Sequence, residues 1–295
     1  MKFNKRARLD TSGIRDRRGM RGGGGGGRGV AMGGGLGGLV ILVIAMFAGI
    51  DPSAILGGGE GGGNPNAPAG GELEQCRTGA DIETNAECRF VAYQNSIEDF
   101  WEQEFSVAGD RYQPARFTAF QGSVSTGCGS ASSNVGPFYC PPDRGVYMDL
   151  DFFRTLESQL GAQGGDFAEA YVVAHEYGHH VQNLTGQMDR VRTQQGANSD
   201  AVALELQADC YAGIWASAAT DTSGGREPII TEITRQDIAE AIDAAETVGD
   251  DYIQERVQGT VTPETWTHGS SEQRRTWFQR GMKTGDRAAC DAFSR

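Results

Sequence analysis

Histidine is scarce in this chain, with four in 295 residues. Cysteine is absent before Cys76, and charge is absent from Gly29 to Ile50. Each gap restricts what the protein can be. With no cysteine near the N-terminus, disulfide chemistry is confined to the later part of the chain. The basic N-terminal run has no aromatic residue interleaved with its arginines, and no nucleic-acid-binding fold can be read, so a nucleic-acid partner is disfavoured.

Composition then divides the chain. Residues 1–28 hold nine basic residues against Asp10 and Asp16, a net of +7; the whole chain carries −13, so the residues after Arg28 carry −20. The run 29–50 has an apolar centre from Leu36 to Ile50. At 1.5 Å per residue, a helix of that length crosses a hydrocarbon core of about 30 Å. Basic residues before it and Asp51 after it predict a single-pass anchor with the N-terminus in the cytoplasm and the rest extracytoplasmic. A cleaved signal peptide with Leu39–Ala48 as its apolar region is the alternative reading. The expected organisation is a basic cytoplasmic tail over 1–28, a transmembrane anchor over 29–50, a Gly/Pro-rich linker over 51–73, and one domain over 74–295.

The scarce histidines are concentrated: His175, His179 and His180 lie within Asp166–Asn183, and His175-Glu176-Tyr177-Gly178-His179 reads H-E-x-x-H. Residues four apart share a helix face, so His175 and His179 can point two imidazoles at one metal ion, with Glu176 beside it as general base. Asp166 is the expected helix cap, with Glu169 completing a capping box. Phe167, Ala170, Tyr171, Ala174, Gly178 and Val181 form an apolar stripe. His180 points elsewhere on the helix.

Two imidazoles need a further ligand. A second helix, capped by Asn198 or Ser199, carries Glu205 and Asp209 four residues apart among apolar neighbours. One acid can reach the metal, and the other can accept the free ring N–H of a ligating histidine. All six cysteines follow the linker, an even count that suits an oxidising compartment. Fifteen pairings are possible. Proximity favours Cys76–Cys88 and Cys128–Cys140, leaving Cys210–Cys290, while Cys210 as a metal ligand is the competing role.

H-E-x-x-H followed by Glu205-x-x-x-Asp209 resembles the thermolysin-type, or gluzincin, arrangement. More closely, the chain resembles the bacterial neutral zinc metallopeptidase family. The likeness runs through Leu9–Gly19, the membrane segment, Cys128-Gly and Gly136–Pro141, Val146–Asp149, His175–Gln182, Glu205–Gly213 and His268–Arg274. It implies one catalytic Zn²⁺ held by His175, His179 and Glu205, with Glu176 as base and Asp209 orienting a ligating histidine. It implies a peptide or protein substrate, and an α+β fold: a mainly helical zincin-like metallopeptidase domain with a small β-sheet.

The remaining chain fits such a domain. Ser96–Phe105 reads as a capped helix with Ile97, Phe100, Trp101 and Phe105 inward, and Arg116–Gln121 and Gly145–Leu150 as strands. By analogy with zinc peptidases, the strand around Tyr147 is the candidate for pairing with an extended substrate. Thr234–Glu246 reads as a scaffold helix. Ser270 and Gln273 predict a capping box, with His268 in the loop before it, placed either to stabilise an oxyanion or to contact backbone. The competing function is a non-catalytic, zinc-stabilised domain that binds an envelope partner.

Overall fold

The structure, a computed structural model, describes residues 1–19, 71–221 and 227–294. The predicted anchor at 29–50 and almost all of the linker lie outside the described residues. Among the described residues, no helix is long and apolar enough to cross a membrane.

The architecture mixes helices with small sheets, as expected for α+β. Two strands come from the start of the chain: β1 (Lys2–Phe3) and β2 (Ile14–Asp16). Helix α1 (Cys88–Ala108) follows, then β3 (Arg116–Phe120), the hairpin β4 (Ser123–Thr126) and β5 (Gly129–Ser132), β6 (Phe138–Cys140) and β7 (Gly145–Asp149). Next come α2 (Asp166–Leu184), α3 (Asp200–Ala218), β8 (Ile230–Glu232), α4 (Arg235–Thr247), α5 (Asp250–Gln258) and α6 (Ser271–Thr284). The main sheet has the order β2-β3-β7-β6. Its first three strands are parallel, and β6 runs antiparallel to β7. β1 pairs with β8 in a separate ribbon.

The N-terminal segment departs from expectation. Residues 1–19 are not a tail but part of the folded body. Ile14 aligns with Phe117 and Asp16 with Ala119 in the β2–β3 ladder, while Ala7, Leu9 and Ile14 enter the core. Composition shows only that these residues are basic; what holds them is backbone pairing and apolar burial against residues far along the chain. The domain also begins earlier than residue 74, since Leu73 is fully buried.

Three further expectations are corrected. The strand around Tyr147, β7, is paired on both sides over residues 145–147, by β3 and β6, so its backbone there is not open to a substrate strand; the edge strand nearest the histidine helix is β6. Helix α1 starts at Cys88, eight residues before Ser96, whose hydroxyl accepts a hydrogen bond from Trp215 Nε1 at 3.2 Å instead of capping. Gly165 rather than Asp166 is the N-cap of α2, at φ 111°, and Glu169 turns to Arg89. The other caps stand as read: Ser199 accepts from Val202 N, and Ser270 and Gln273 form a capping box. All three disulfides favoured by proximity are present, so Cys210 is bonded to Cys290 and is not a free thiolate.

Helices α2 and α3 form the centre of the core, and glycine sets how closely they approach their neighbours. A Cβ on Gly178 would lie 2.9 Å from the carbonyl oxygen of Ala208, so α2 and α3 cross with almost no side chain between them. The α3–α6 crossing is tighter still, because a Cβ on Gly213 would lie 2.1 Å from Phe278 O and one on Gly281 would lie 1.9 Å from Cys210 O. Backbone cannot yield as a side chain can. Gly213→Ala is therefore expected to destabilise the protein by about 1–3 kcal/mol, despite alanine's better helix propensity. Urea unfolding checks this; an unchanged midpoint would mean that the helices can separate freely.

Candidate metal centre

The close α2–α3 crossing brings residues 30 positions apart into one cluster. His175 and His179 project from successive turns of α2, and Glu205 lies just under one turn before Ala208 on α3. His175 Nε2 is 3.2 Å from Glu205 Oε2, and His179 Nε2 is 3.4 Å from Glu205 Oε1. One ligand atom from each residue lies within 4.8 Å of the others, and all three residues are buried. Two imidazoles and one carboxylate form the donor set suited to a tetrahedral zinc site with one open position.

Each imidazole has an oxygen acceptor at Nδ1, which in the neutral ring favours the tautomer that leaves Nε2 as the donor atom. His175 Nδ1 meets Asp209 Oδ1 at 2.8 Å, and His179 Nδ1 meets Gln182 Oε1 at 2.8 Å. Gln182 is itself fixed, donating to Leu204 O at 2.6 Å and Gln207 Oε1 at 3.1 Å. Such partners orient a ligating ring and raise its basicity.

Asp209 is the centre of a buried network. Its Oδ1 accepts from Tyr171 Oη at 2.6 Å, and Arg274 grips both oxygens, Nε to Oδ2 and Nη2 to Oδ1, each at 2.9 Å. In sequence Tyr171 belongs to the apolar stripe of its helix, and no local pattern marks Arg274 or, beyond its i, i+3 spacing from His179, Gln182 for the site.

Electrostatics follow from this packing. Burial disfavours the Asp209 carboxylate, but Arg274 and His175 outweigh it and hold its pKa low. Burial likewise opposes a charged His175, and Asp209 with Glu205 more than compensates, raising it to about 9. Glu205 is driven well below the usual carboxylate range, with both imidazoles overcoming burial. Glu176 moves upward, because burial exceeds the pull of His179 and His175.

Glu176 and His268 line one cavity of about 70 Å³ together with the three candidate ligands. Its other wall is apolar, including Phe138, Phe152, Val172 and Ile253. The His268 loop is pinned by Asp250, whose Oδ2 accepts the backbone N–H groups of Thr267, His268 and Gly269 at 2.8, 2.7 and 3.0 Å. His268 Nδ1 lies 2.9 Å from Thr267 Oγ1 and 3.4 Å from Asp250 Oδ1. His180 stays apart, between Tyr139 Oη and the carbonyl of Gln113.

Comparison with known proteins agrees with this chemistry. The chain is 48% identical over 254 residues to the uncharacterized protein Rv2575 of Mycobacterium tuberculosis (strain ATCC 25618 / H37Rv), covering 85% of each chain. It is 36% identical over 301 residues to the uncharacterized protein YpfJ of Escherichia coli (strain K12), covering 98% of each. No solved structure matches it. A family model described as "Putative neutral zinc metallopeptidase" matches residues 1–293, and the chain belongs to that family.

Proposed function

We propose that the protein is a zinc-dependent peptidase of zincin-like plan that hydrolyses peptide bonds in the cell envelope, held at the membrane by residues 29–50. One observation carries the reading: the ligand atoms of His175, His179 and Glu205 converge in the cavity that also holds Glu176. Three disulfides support an oxidising compartment.

His175, His179 and Glu205 would hold a zinc ion, which would supply Lewis acidity toward a water and the scissile carbonyl. Glu176 takes a proton from the attacking water on its carboxylate and passes it to the leaving amine nitrogen. Asp209 and Gln182 keep the two imidazoles in the Nε2-free tautomer. His268, anchored through Asp250, donates toward the carbonyl oxygen as negative charge develops on it. The β6 edge offers backbone groups to an extended peptide beside the cavity.

The test is zinc removal and return on the full chain in detergent. About one zinc per chain is expected, with cleavage of an unstructured protein lost on chelation and restored by zinc. Zinc without cleavage would favour the envelope-binding scaffold, and a chain that takes up no zinc would overturn the site.

A further inference from the structure

We infer that residues 1–19 lie on the same side of the membrane as residues 71–294, as a built-in part of the domain.

The contacts are specific along the whole segment. The α-ammonium of Met1 is half-buried and meets Asp237 Oδ1 at 2.7 Å, while Asp237 Oδ2 accepts from Thr234 N in the α4 capping box. Lys2 pairs with Glu232, Lys5 with Glu83 and Arg6 with Glu227. Leu9 N donates to Arg77 O at 2.8 Å and Gly79 N to Ala7 O at 2.9 Å, framing an antiparallel bridge between Arg8 and Thr78. The Asn95 side chain on α1 reads the backbone of Asp10 in both directions, accepting from its N–H at 2.6 Å and donating to its carbonyl at 2.8 Å. Arg18 is buried, bonded to both oxygens of Asp16 and, at 2.6 Å, to Glu87.

The domain is also shaped to receive the segment. A Cβ on Gly79 would lie 2.1 Å from Asn4 O. Gly79 is not in the left-handed region, so the space it leaves, rather than its backbone freedom, is what the contact uses. The split between a basic start and an acidic remainder is in part charge complementarity between the segment and its own domain.

The described residues on either side of 20–70 are held together. Leu73 N donates to Asp16 Oδ2, and Asp16 N donates to Glu74 Oε1, both at 3.3 Å. A single crossing by 29–50 would separate these partners by about 30 Å of hydrocarbon. Polar strand backbone cannot return through that layer without losing its hydrogen bonds.

The test is disulfide trapping in the full chain in intact bacterial cells. R8C/T78C places cysteines at a narrow antiparallel pair, where Cα atoms sit about 4.5 Å apart, within disulfide reach; K2C/E232C replaces an ion pair of β1 and β8. The swapped pairs, R8C/E232C and K2C/T78C, are the controls. Cells receive a mild permeant oxidant, thiols are blocked, and linked peptides are quantified by mass spectrometry. The expected result is linkage within one chain, at least tenfold above the swapped pairs, from both in-register pairs. In-register pairs linked no better than the controls would overturn the inference, as would linkage found only between two chains. Neither readout depends on peptidase activity, so failure here leaves the proposed chemistry standing, and the reverse also holds.

Discussion

Replacing Glu176 by glutamine is expected to lower peptide hydrolysis by about 10²–10⁴-fold while zinc content stays at the wild-type level. Glu176 sits between the two candidate histidine ligands on α2, so the helix delivers it to the same cavity. Among the described residues, no hydrogen bond ends on its carboxylate, whereas Asp209, Glu205 and Asp250 are all tied to partners. Its neighbours thus leave it available to a water and a substrate. Glutamine keeps the shape and the polarity but cannot accept the proton. Measuring kcat/KM beside metal content separates the outcomes. Loss of both would make Glu176 part of the metal-holding framework, and retention of both would assign the base to another group.

What the sequence disclosed follows the range of the interactions. His175, Glu176 and His179 are legible because helix periodicity fixes their relation over five residues. Glu205 and Asp209 are legible because two acids on an apolar helix need a positive partner, and the shared close crossing at Gly178 then brings them to the histidines. Arg274 is invisible by the same logic, since it lies 103 residues from Tyr171 and 65 from Asp209. No local pattern distinguishes a buried arginine at the start of α6 from a solvated one. Gln182 lies only three residues from His179, and that i, i+3 relation was the available signal. The cap of α2 is misleading in sequence because Asp166 and Glu169 fit a capping box, whereas Arg89 on α1 takes Glu169 and Gly165 adopts the positive φ at the entry. The start of the chain is illegible for a related reason: charge composition is visible, while pairing with strands and helices far along the chain is not.

Arg274→Met is expected to cost about 3–5 kcal/mol of stability, because removing one member of a buried ion pair leaves the other charge without compensation. Arg274 and Asp209 are both buried, 3% and 0% exposed, so water cannot replace the guanidinium. The loss should also reach the metal. With Arg274 gone, burial acts unopposed by that charge on Asp209, the carboxylate is weakened, and His175 loses part of the acceptor that orients it; zinc affinity is expected to fall about 10–100-fold. The double variant Asp209→Asn with Arg274→Met distinguishes the two effects. It removes both charges, so unfolding stability should recover part of the way, because no lone charge stays buried. Zinc affinity should remain low, because the asparagine still provides a neutral oxygen but no longer a carboxylate for His175 Nδ1. Thermal unfolding and competitive zinc titration on the same samples read the two quantities independently. If stability and affinity recover together, Arg274 acts on the metal site only through the fold; if neither moves in the single variant, the network does not carry the electrostatic load that its geometry assigns to it.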